Sequence, residues 1–565
     1  MKNNRKKAVI VLVMISTLAS SLIGAGARYN NRKYKNVIVL VPDGCNQNIQ
    51  TAARWYKGEP LTLDGMESGS VSTYMSNSLI TGSAAAGTAF ATGHKTTVRF
   101  LGIGPRTDDL LPMVTPTAEP YSPVASVMEA VKLNRKSVGL VATSRITHAT
   151  PAAYASHVDD RGKDNEIMEN MVYQDIDVVL GGGFRHLIPS YDTYTTSFGA
   201  SWSGKRTDNR NLYNELIQRG YTIVDSKEGM NAVTRGPVWG LFDDSHMDAE
   251  MDREQFHPSQ PSLSEMTEKA IEILSKDPHG FFLMVEGSQI DWAGHNNDPI
   301  YMITDFLEFD DAVKVAVDYA ARDKQTLVLV FPDHNTGGMT MGNYGEGAGY
   351  TSINYDDFMD PLEGMTMTSG ALSYMIDDVS VSGIKNAVGT YWGLDITDES
   401  AQKIIDLTEE DVSLNYALAH VISEDYTVFG WTTFGHNGGD VPLWSYTYSG
   451  HNRPIGHYDN TELAHLVADA LGASLEDTQD DLFIKLSDVL ESDQWSVDTS
   501  NPEDPIINIE LQEGVASINA GSDVVTRSTG YYTHLSGIVV YAPMTGEVYI
   551  PEDCCNYLNA IGIAE

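Results

Sequence analysis

Short runs rich in valine, isoleucine and leucine, each followed at once by turn residues, set the rhythm of this chain. Val37–Val41 leads into Pro42-Asp43-Gly44, Ser137–Ala142 into Thr143-Ser144-Arg145, and Val178–Leu180 into Gly181-Gly182-Gly183. Phe281–Val285 leads into Glu286-Gly287, and Thr326–Phe331 into Pro332-Asp333-His334. The runs are continuous rather than alternating, the pattern of strands buried on both faces. Helical stretches lie between them, such as Ser126–Lys132, Ser264–Ser275 and Asp305–Ala321. This alternation predicts an α/β fold with a mostly parallel central sheet and helices on both faces. Ligands of such sheets bind beyond the carboxyl ends of the strands, where the polar residues just named fall.

The pattern dissolves between about Gly337 and Gly430 into Gly, Asp, Tyr, Met and Ser, with helical pieces such as Glu399–Leu407. Residues from about 340 to 430 read as a large insertion near the site: a dimer interface, a lid or a crown. Beyond Gly472 the texture changes again. Leu475–Leu490 reads as an acidic amphipathic helix, Asn501–Pro505 as a linker turn, and Ile506–Ile550 as several short strands. At the other end, Met1–Lys7 is basic, Ala8–Gly24 is apolar, and Ala25-Gly26-Ala27 is a small-residue cleavage site. That is the form of a secretory signal peptide, and it predicts a secreted, periplasmic or cell-surface protein. No other stretch approaches the length of a membrane span, so no membrane association is expected after cleavage. The expected organisation is a signal peptide (1–27), a main α/β domain (28–474) carrying the insertion, and a helix plus β-rich appendage (475–565).

A formal net charge of −40 over 565 residues argues against nucleic acid or an anionic membrane as partner. It also sets a problem for any anionic substrate, which needs local positive potential. Bound metal ions are one way to supply it. Three cysteines, two of them adjacent, make no disulfide framework and no zinc-finger spacing.

The candidate chemistry lies at the strand ends. Asp43 directly follows the first strand; alone it reads as a turn residue. Glu286 ends another strand, and Asp291 and His295 follow four residues apart, on one face if the segment is helical. Asp333-His334 follows a third strand, with a bend supplied by Pro332 and Asn335-Thr336-Gly337-Gly338. His148 and Thr150 lie just past Ser137–Ala142 in Thr147-His148-Ala149-Thr150-Pro151, followed by His157 and Arg161. His436 sits in a glycine-flanked loop, Gly435–Asp440. Aspartates and histidines with few thiolates suit catalytic zinc, and oxygen-rich sets suit magnesium. The segment Thr81–Lys95 places Ser83 at the start of a helix of alanine, glycine and threonine. Such a helix offers little apolar area but lets other backbone approach. Its N-terminus favours a phosphate or a nucleophile, although an N-cap serine on a packing helix explains it as well.

Taken in order, these motifs resemble the alkaline phosphatases, over about Asn36 to Gly472 apart from the insertion. The resemblance implies hydrolysis of phosphate monoesters, with broad specificity and an alkaline optimum, through a phosphoseryl intermediate on Ser83. It implies two zinc ions and one magnesium. Asp291, His295 and His436 match the ligands of the first zinc. Asp333 and His334, with Asp43 as a bridge, match the second, and Asp43, Thr150 and Glu286 match the magnesium. Arg161 matches the arginine that grips the phosphoryl oxygens, and the implied partners are small phosphate monoesters, with a homodimer left open. Two cations can clamp the attacking and leaving oxygens of an in-line displacement, and a guanidinium offers the bidentate fork that lysine lacks.

Three positions depart from the family pattern. Gly82 stands where many relatives carry an aspartate that orients the arginine. Trp292 stands where some have lysine or histidine, and His148 where some have aspartate near the magnesium. A related sulfatase would need a Cys- or Ser-x-Pro-x-Arg motif, which Ser83-Ala84-Ala85 is not. A diesterase relative would tend to have threonine as nucleophile and no arginine. A non-catalytic metal-binding protein would lack a ligand or the nucleophile.

Overall fold

The computed structural model describes residues 33–450 and 453–563. The signal peptide expected over residues 1–27 therefore lies outside the described residues. The centre is a ten-stranded sheet. Its strands are β1 (Asn36–Pro42), β2 (Glu67–Ser72), β3 (Ser137–Arg145), β4 (Val178–Gly182), β5 (Thr222–Val224), β6 (Val238–Leu241), β7 (Phe281–Gly287), β8 (Thr326–Val330), β9 (Val441–Thr447) and β10 (His457–Asp459). They lie in the order β10-β2-β9-β8-β1-β7-β3-β4-β6-β5. From β8 to β5 every pairing is parallel. β9 runs against both of its neighbours.

The continuous apolar runs are explained by burial on both sides. On one face Val37, Val39 and Val41 of β1 join Met284 of β7 and Leu329 of β8. On the other, Ile38 and Leu40 join Val285 and Val328. Helices Ser83–Thr92, Val127–Leu133 and Asn460–Leu471 cover the first face, and Leu263–Leu274 and Pro299–Asp323 the second. Each fully buried side chain of this size contributes about 1.5–3 kcal/mol. The expected starts at Ser126 and Ser264 shift slightly, because Ser126 and Ser262 act as N-caps in capping boxes.

The insertion is more ordered than its composition suggests. It folds into helices Tyr355–Glu363, Ser369–Met375, Val381–Tyr391, Asp398–Glu409 and Leu414–Tyr426. Their buried residues, among them Leu362, Ile384, Trp392, Ile404 and Leu418, join the same core as β1 and the Pro299–Asp323 helix.

The helix expected over Leu475–Leu490 stops at Leu482. Ile484–Lys485 instead pairs with the Glu547–Ile550 strand, which competes successfully for the backbone. Five antiparallel strands between Trp495 and His534 form a separate sheet over its own core of Ile507, Ile509, Ile518 and Val525. Arg219 grips Asp523 of this appendage with both guanidinium nitrogens, at 2.9 and 3.0 Å. All three cysteines are free. Among the described residues no helix is long and apolar enough to cross a membrane.

Candidate active site

The carboxyl ends of β1, β3, β7 and β8 bring the strand-end residues together. Asp43 follows β1, Glu286 lies near the end of β7, and Asp333-His334 follows β8. Asp291 and His295 share one face of the Gln289–Asn296 helix, with His295 Nε2 3.4 Å from Asp291 Oδ2. His436, in the loop before β9, places its Nε2 3.6 Å from Asp291 Oδ1 and 3.3 Å from His295 Nε2. Both rings are held from behind. His295 Nδ1 meets the Phe434 carbonyl at 2.5 Å, and His436 Nδ1 meets the Thr81 carbonyl at 2.9 Å. A carbonyl only accepts, so each Nδ1 carries the proton, and in the neutral ring each Nε2 is a bare lone pair. Two lone pairs facing each other beside a carboxylate are the arrangement a cation resolves.

Three groups of side chains place one ligand atom each within 4.8 Å of one another: Asp291, His334 and His436; Asp43, Asp333 and His334; and Asp43, His148 and Glu286. Buried oxygens in these groups lack hydrogen-bond partners: both of Asp43, Glu286 Oε1 and Asp333 Oδ2, with Thr150 Oγ1 beside them. Unpaired buried carboxylates are strongly unfavourable without cations, so this donor set fits metal ions. Burial pushes the Asp43 carboxyl well above the usual range, reinforced by Asp333 and Asp291. Burial also raises Glu286. For Asp291 burial is outweighed by the hydrogen bond and charge of His295, helped by His334 and His436, and its carboxyl is held low. Asp333 is likewise lowered by His334 against its burial.

Ser83 lies in the same cluster, its Oγ 3.2 Å from His334 Nε2. His334 Nε2 is in turn 3.1 Å from Asp333 and 3.7 Å from Asp43. The structure corrects the N-cap reading: Gly82 is the N-cap, with φ −112° and ψ 163°, and Ser83 is the first helical residue. The first N–H groups of this helix therefore have no side-chain cap. The small residues do serve close approach, since a Cβ on Gly87 would stand 2.9 Å from Ala153 Cβ. The helix thus lies directly on the turn that carries Thr150.

Arg161 Nη2 touches His148 Nε2 at 2.6 Å. Burial lowers the Arg161 pKa even though the charges of Asp43, Asp291, Glu286 and Asp333 all raise it. His148 is held neutral by burial and by Arg161 and His246. Trp292 covers this corner, edge-on to His246 at 4.4 Å and to His148 at 5.8 Å between ring centroids.

Sequence reasoning passed over several supporting residues. Thr336 Oγ1 donates to Asp291 Oδ1 at 2.5 Å and lies 3.2 Å from His334 Nδ1. Ser144 and Ser288 donate to Glu286 Oε2 at 3.2 and 2.5 Å. Hydroxyls beside the strand-end acids were the available signal. Gly44 is required for a different reason. Its φ is +73°, and a Cβ there would lie 2.9 Å from Asp291 Cα. Gly44→Ala is expected to cost roughly 2–4 kcal/mol and most of the activity, as read by denaturation midpoint and turnover. A variant as stable and active as the parent would show that this approach is not constrained.

A serine in the first turn of a helix that has no side-chain cap, set among buried carboxylates and imidazoles at strand ends, marks an α/β protein whose strand-end donor set fits cations. The chain belongs to the alkaline phosphatase family, a family of metal-dependent phosphomonoesterases, whose model matches residues 34–473. It is 33% identical over 495 residues to alkaline phosphatase 3 of Bacillus subtilis, covering 82% of this chain and 97% of that protein. It is 29% identical to the repressible alkaline phosphatase of Saccharomyces cerevisiae, covering 84% and 87%. The alkaline phosphatase structure of Thermus thermophilus superposes with a TM-score of 0.67 at 28% identity, covering 81% of this chain and 97% of that one. The appendage from residue 475 onward lies beyond the family match.

Proposed function

We propose that this chain hydrolyses phosphate monoesters through a phosphoseryl intermediate on Ser83. The observation that carries this reading is Ser83 Oγ 3.2 Å from a histidine that itself belongs to two of the candidate cation groups. Asp291, His295 and His436 would hold one zinc, Asp333 and His334 with Asp43 a second, and Asp43, Thr150 and Glu286 a magnesium, with His148 close by. Bound there, these ions would supply positive charge and Lewis acidity to the phosphoryl oxygens. Ser83 Oγ attacks phosphorus as the bond to the leaving oxygen breaks. The serine proton passes to solvent, and the departing oxygen takes one from solvent in return and leaves as the alcohol. Arg161 grips the phosphoryl oxygens, and the free N–H groups at the Ser83 helix start add dipolar stabilisation. Water then attacks the phosphoserine, restoring Ser83 and releasing phosphate. The optimum is alkaline, because the attacking groups act as alkoxide and hydroxide. The basic, apolar and small-residue order of residues 1–27 supports export from the cytoplasm.

The expected result with zinc and magnesium present is rapid release of p-nitrophenol from p-nitrophenyl phosphate. Faster cleavage of bis-p-nitrophenyl phosphate would point to a diesterase instead, and no release would reject the enzyme reading.

Gly82 sets a second expectation. A Cβ there meets nothing within 4 Å, so an aspartate fits. Gly82→Asp is expected to tighten inhibition by inorganic phosphate by roughly tenfold, through a charge-assisted hold on Arg161. An unchanged inhibition constant would mean that the arginine is already fixed by its contact with His148.

A further inference from the structure

We propose that the leaving group of the substrate is seated against an aromatic wall made by Tyr416 and Phe434, so that phosphomonoesters of aromatic or bulky apolar alcohols are the preferred class. The proposal rests on the phosphomonoesterase reading above and adds the substrate's other half to it.

The site is closed at one end and open at the other. The side chains of Asp43, Asp333 and His334, next to Ser83, are fully buried. Those of His295 and His436 are 27% and 18% exposed. A monoester whose phosphoryl group reaches Ser83 can therefore extend its alcohol past His295 and His436. Exposed apolar side chains stand next to both of the residues that hold these histidines. Phe434, whose carbonyl holds His295, is 45% exposed. The Thr81 carbonyl holds His436, and the two residues before it, Leu79 and Ile80, are 68% and 46% exposed.

The Phe434 ring is not loose. It packs edge-on against His420 at 4.8 Å and lies 6.5 Å from Tyr416 between centroids. Tyr416 and His420 are four apart on the Leu414–Tyr426 helix and so share one face. Burial, and then the Asp291 charge, raise the Tyr416 pKa. The insertion thus brings an aromatic face to the open end of an otherwise acidic pocket. A phosphate group has no use for such a face, whereas an aromatic ring gains from offset or edge-on contact with it.

The test compares 2-phenylethyl phosphate with ethyl phosphate, whose leaving alkoxides are of similar basicity, so that their ratio of kcat/KM reads the ring alone. The fully loaded enzyme is expected to favour the ring-bearing ester by tenfold or more. Phe434→Ala and Tyr416→Ala are each expected to cut that ratio by roughly three- to tenfold, chiefly through KM. Normalising to ethyl phosphate within each variant cancels any general loss of activity. Ile80→Ser, on an exposed position where folding is not at stake, is expected to lower the ratio less. A ratio near one in the parent enzyme, or the parent ratio retained by both aromatic variants, would overturn the wall while leaving the phosphomonoesterase reading intact. Hydrolysis of neither ester would reject that reading and this proposal with it.

Discussion

Ser83→Ala is expected to reduce turnover of phosphate monoesters by at least about a thousandfold while leaving the protein folded. The separation between activity and stability is unusually clean here. A serine that caps a helix contributes roughly 0.5–2 kcal/mol, which its removal would forfeit. Ser83 does not cap; Gly82 does, and Ser83 is the first residue inside the helix. Its side chain makes one hydrogen bond, to His334. Alanine is the best helix former and fits a helix already rich in it, so stability should shift by less than about 1 kcal/mol. Acid-quenched protein incubated with radiolabelled phosphate should carry the label on Ser83 in the parent and nowhere in the variant. A variant that keeps a tenth of the parent activity, with an unchanged melting curve, would assign the nucleophile elsewhere.

The same helix shows what the sequence could and could not disclose. The strands that carry the site were legible because β1, β3, β7 and β8 are buried on both faces and so read as unbroken apolar runs. Every ligand candidate following them therefore stands at a strand end recognisable from residue type alone. β2 and β9 were not legible. β2 reads Glu-Ser-Gly-Ser-Val-Ser, with little to distinguish it from a loop. β9 contains Pro442, which argues against a strand between two neighbours, yet it pairs with both β8 and β2. Glu399–Leu407 was legible as a helix, but the other four helices of the insertion were hidden by a Gly-, Asp- and Tyr-rich texture, although Asn354, Thr368 and Ser380 cap three of them. Single caps are too common to mark a helix without a periodic apolar face. The Phe434 and Thr81 carbonyls were beyond reach for another reason: they depend on which way a loop turns, not on residue type.

Stripping the cations with a chelator is expected to abolish activity and lower the melting temperature by roughly 10 °C, since three sites, each filled at about a hundred times its dissociation constant, together add about 8 kcal/mol to a domain of this size. The stability that remains should then fall as pH rises above about 7, and the sign follows from the groups concerned. Asp43 is raised by burial and by its acidic neighbours, so the native state keeps a proton that the unfolded chain has already released. That contribution is lost as pH climbs toward the raised value. His295 acts in the same direction: Asp291 outweighs its burial and lifts it above 6.5, so its stabilisation is complete below that value and disappears above it. His436 opposes them, but burial lowers it from 6.5 to about 4, which confines its effect to acid and near-neutral pH. Asp291 and Asp333 are depressed, so their contribution is lost only in acid. Among these site groups only the falling contributions remain above about pH 7; Lys95, which burial lowers to about 8, opposes them only above that value. Bound cations neutralise the same carboxylates without protons, so the loaded protein should show a nearly flat melting temperature over that range. Calorimetry of chelated and reloaded protein from about pH 6 to 9 checks both halves. A melting temperature indifferent to chelation would mean that the buried acids are satisfied without metal. A metal-free profile that rises above neutrality would mean that Asp43 and His295 do not dominate the site's charge balance.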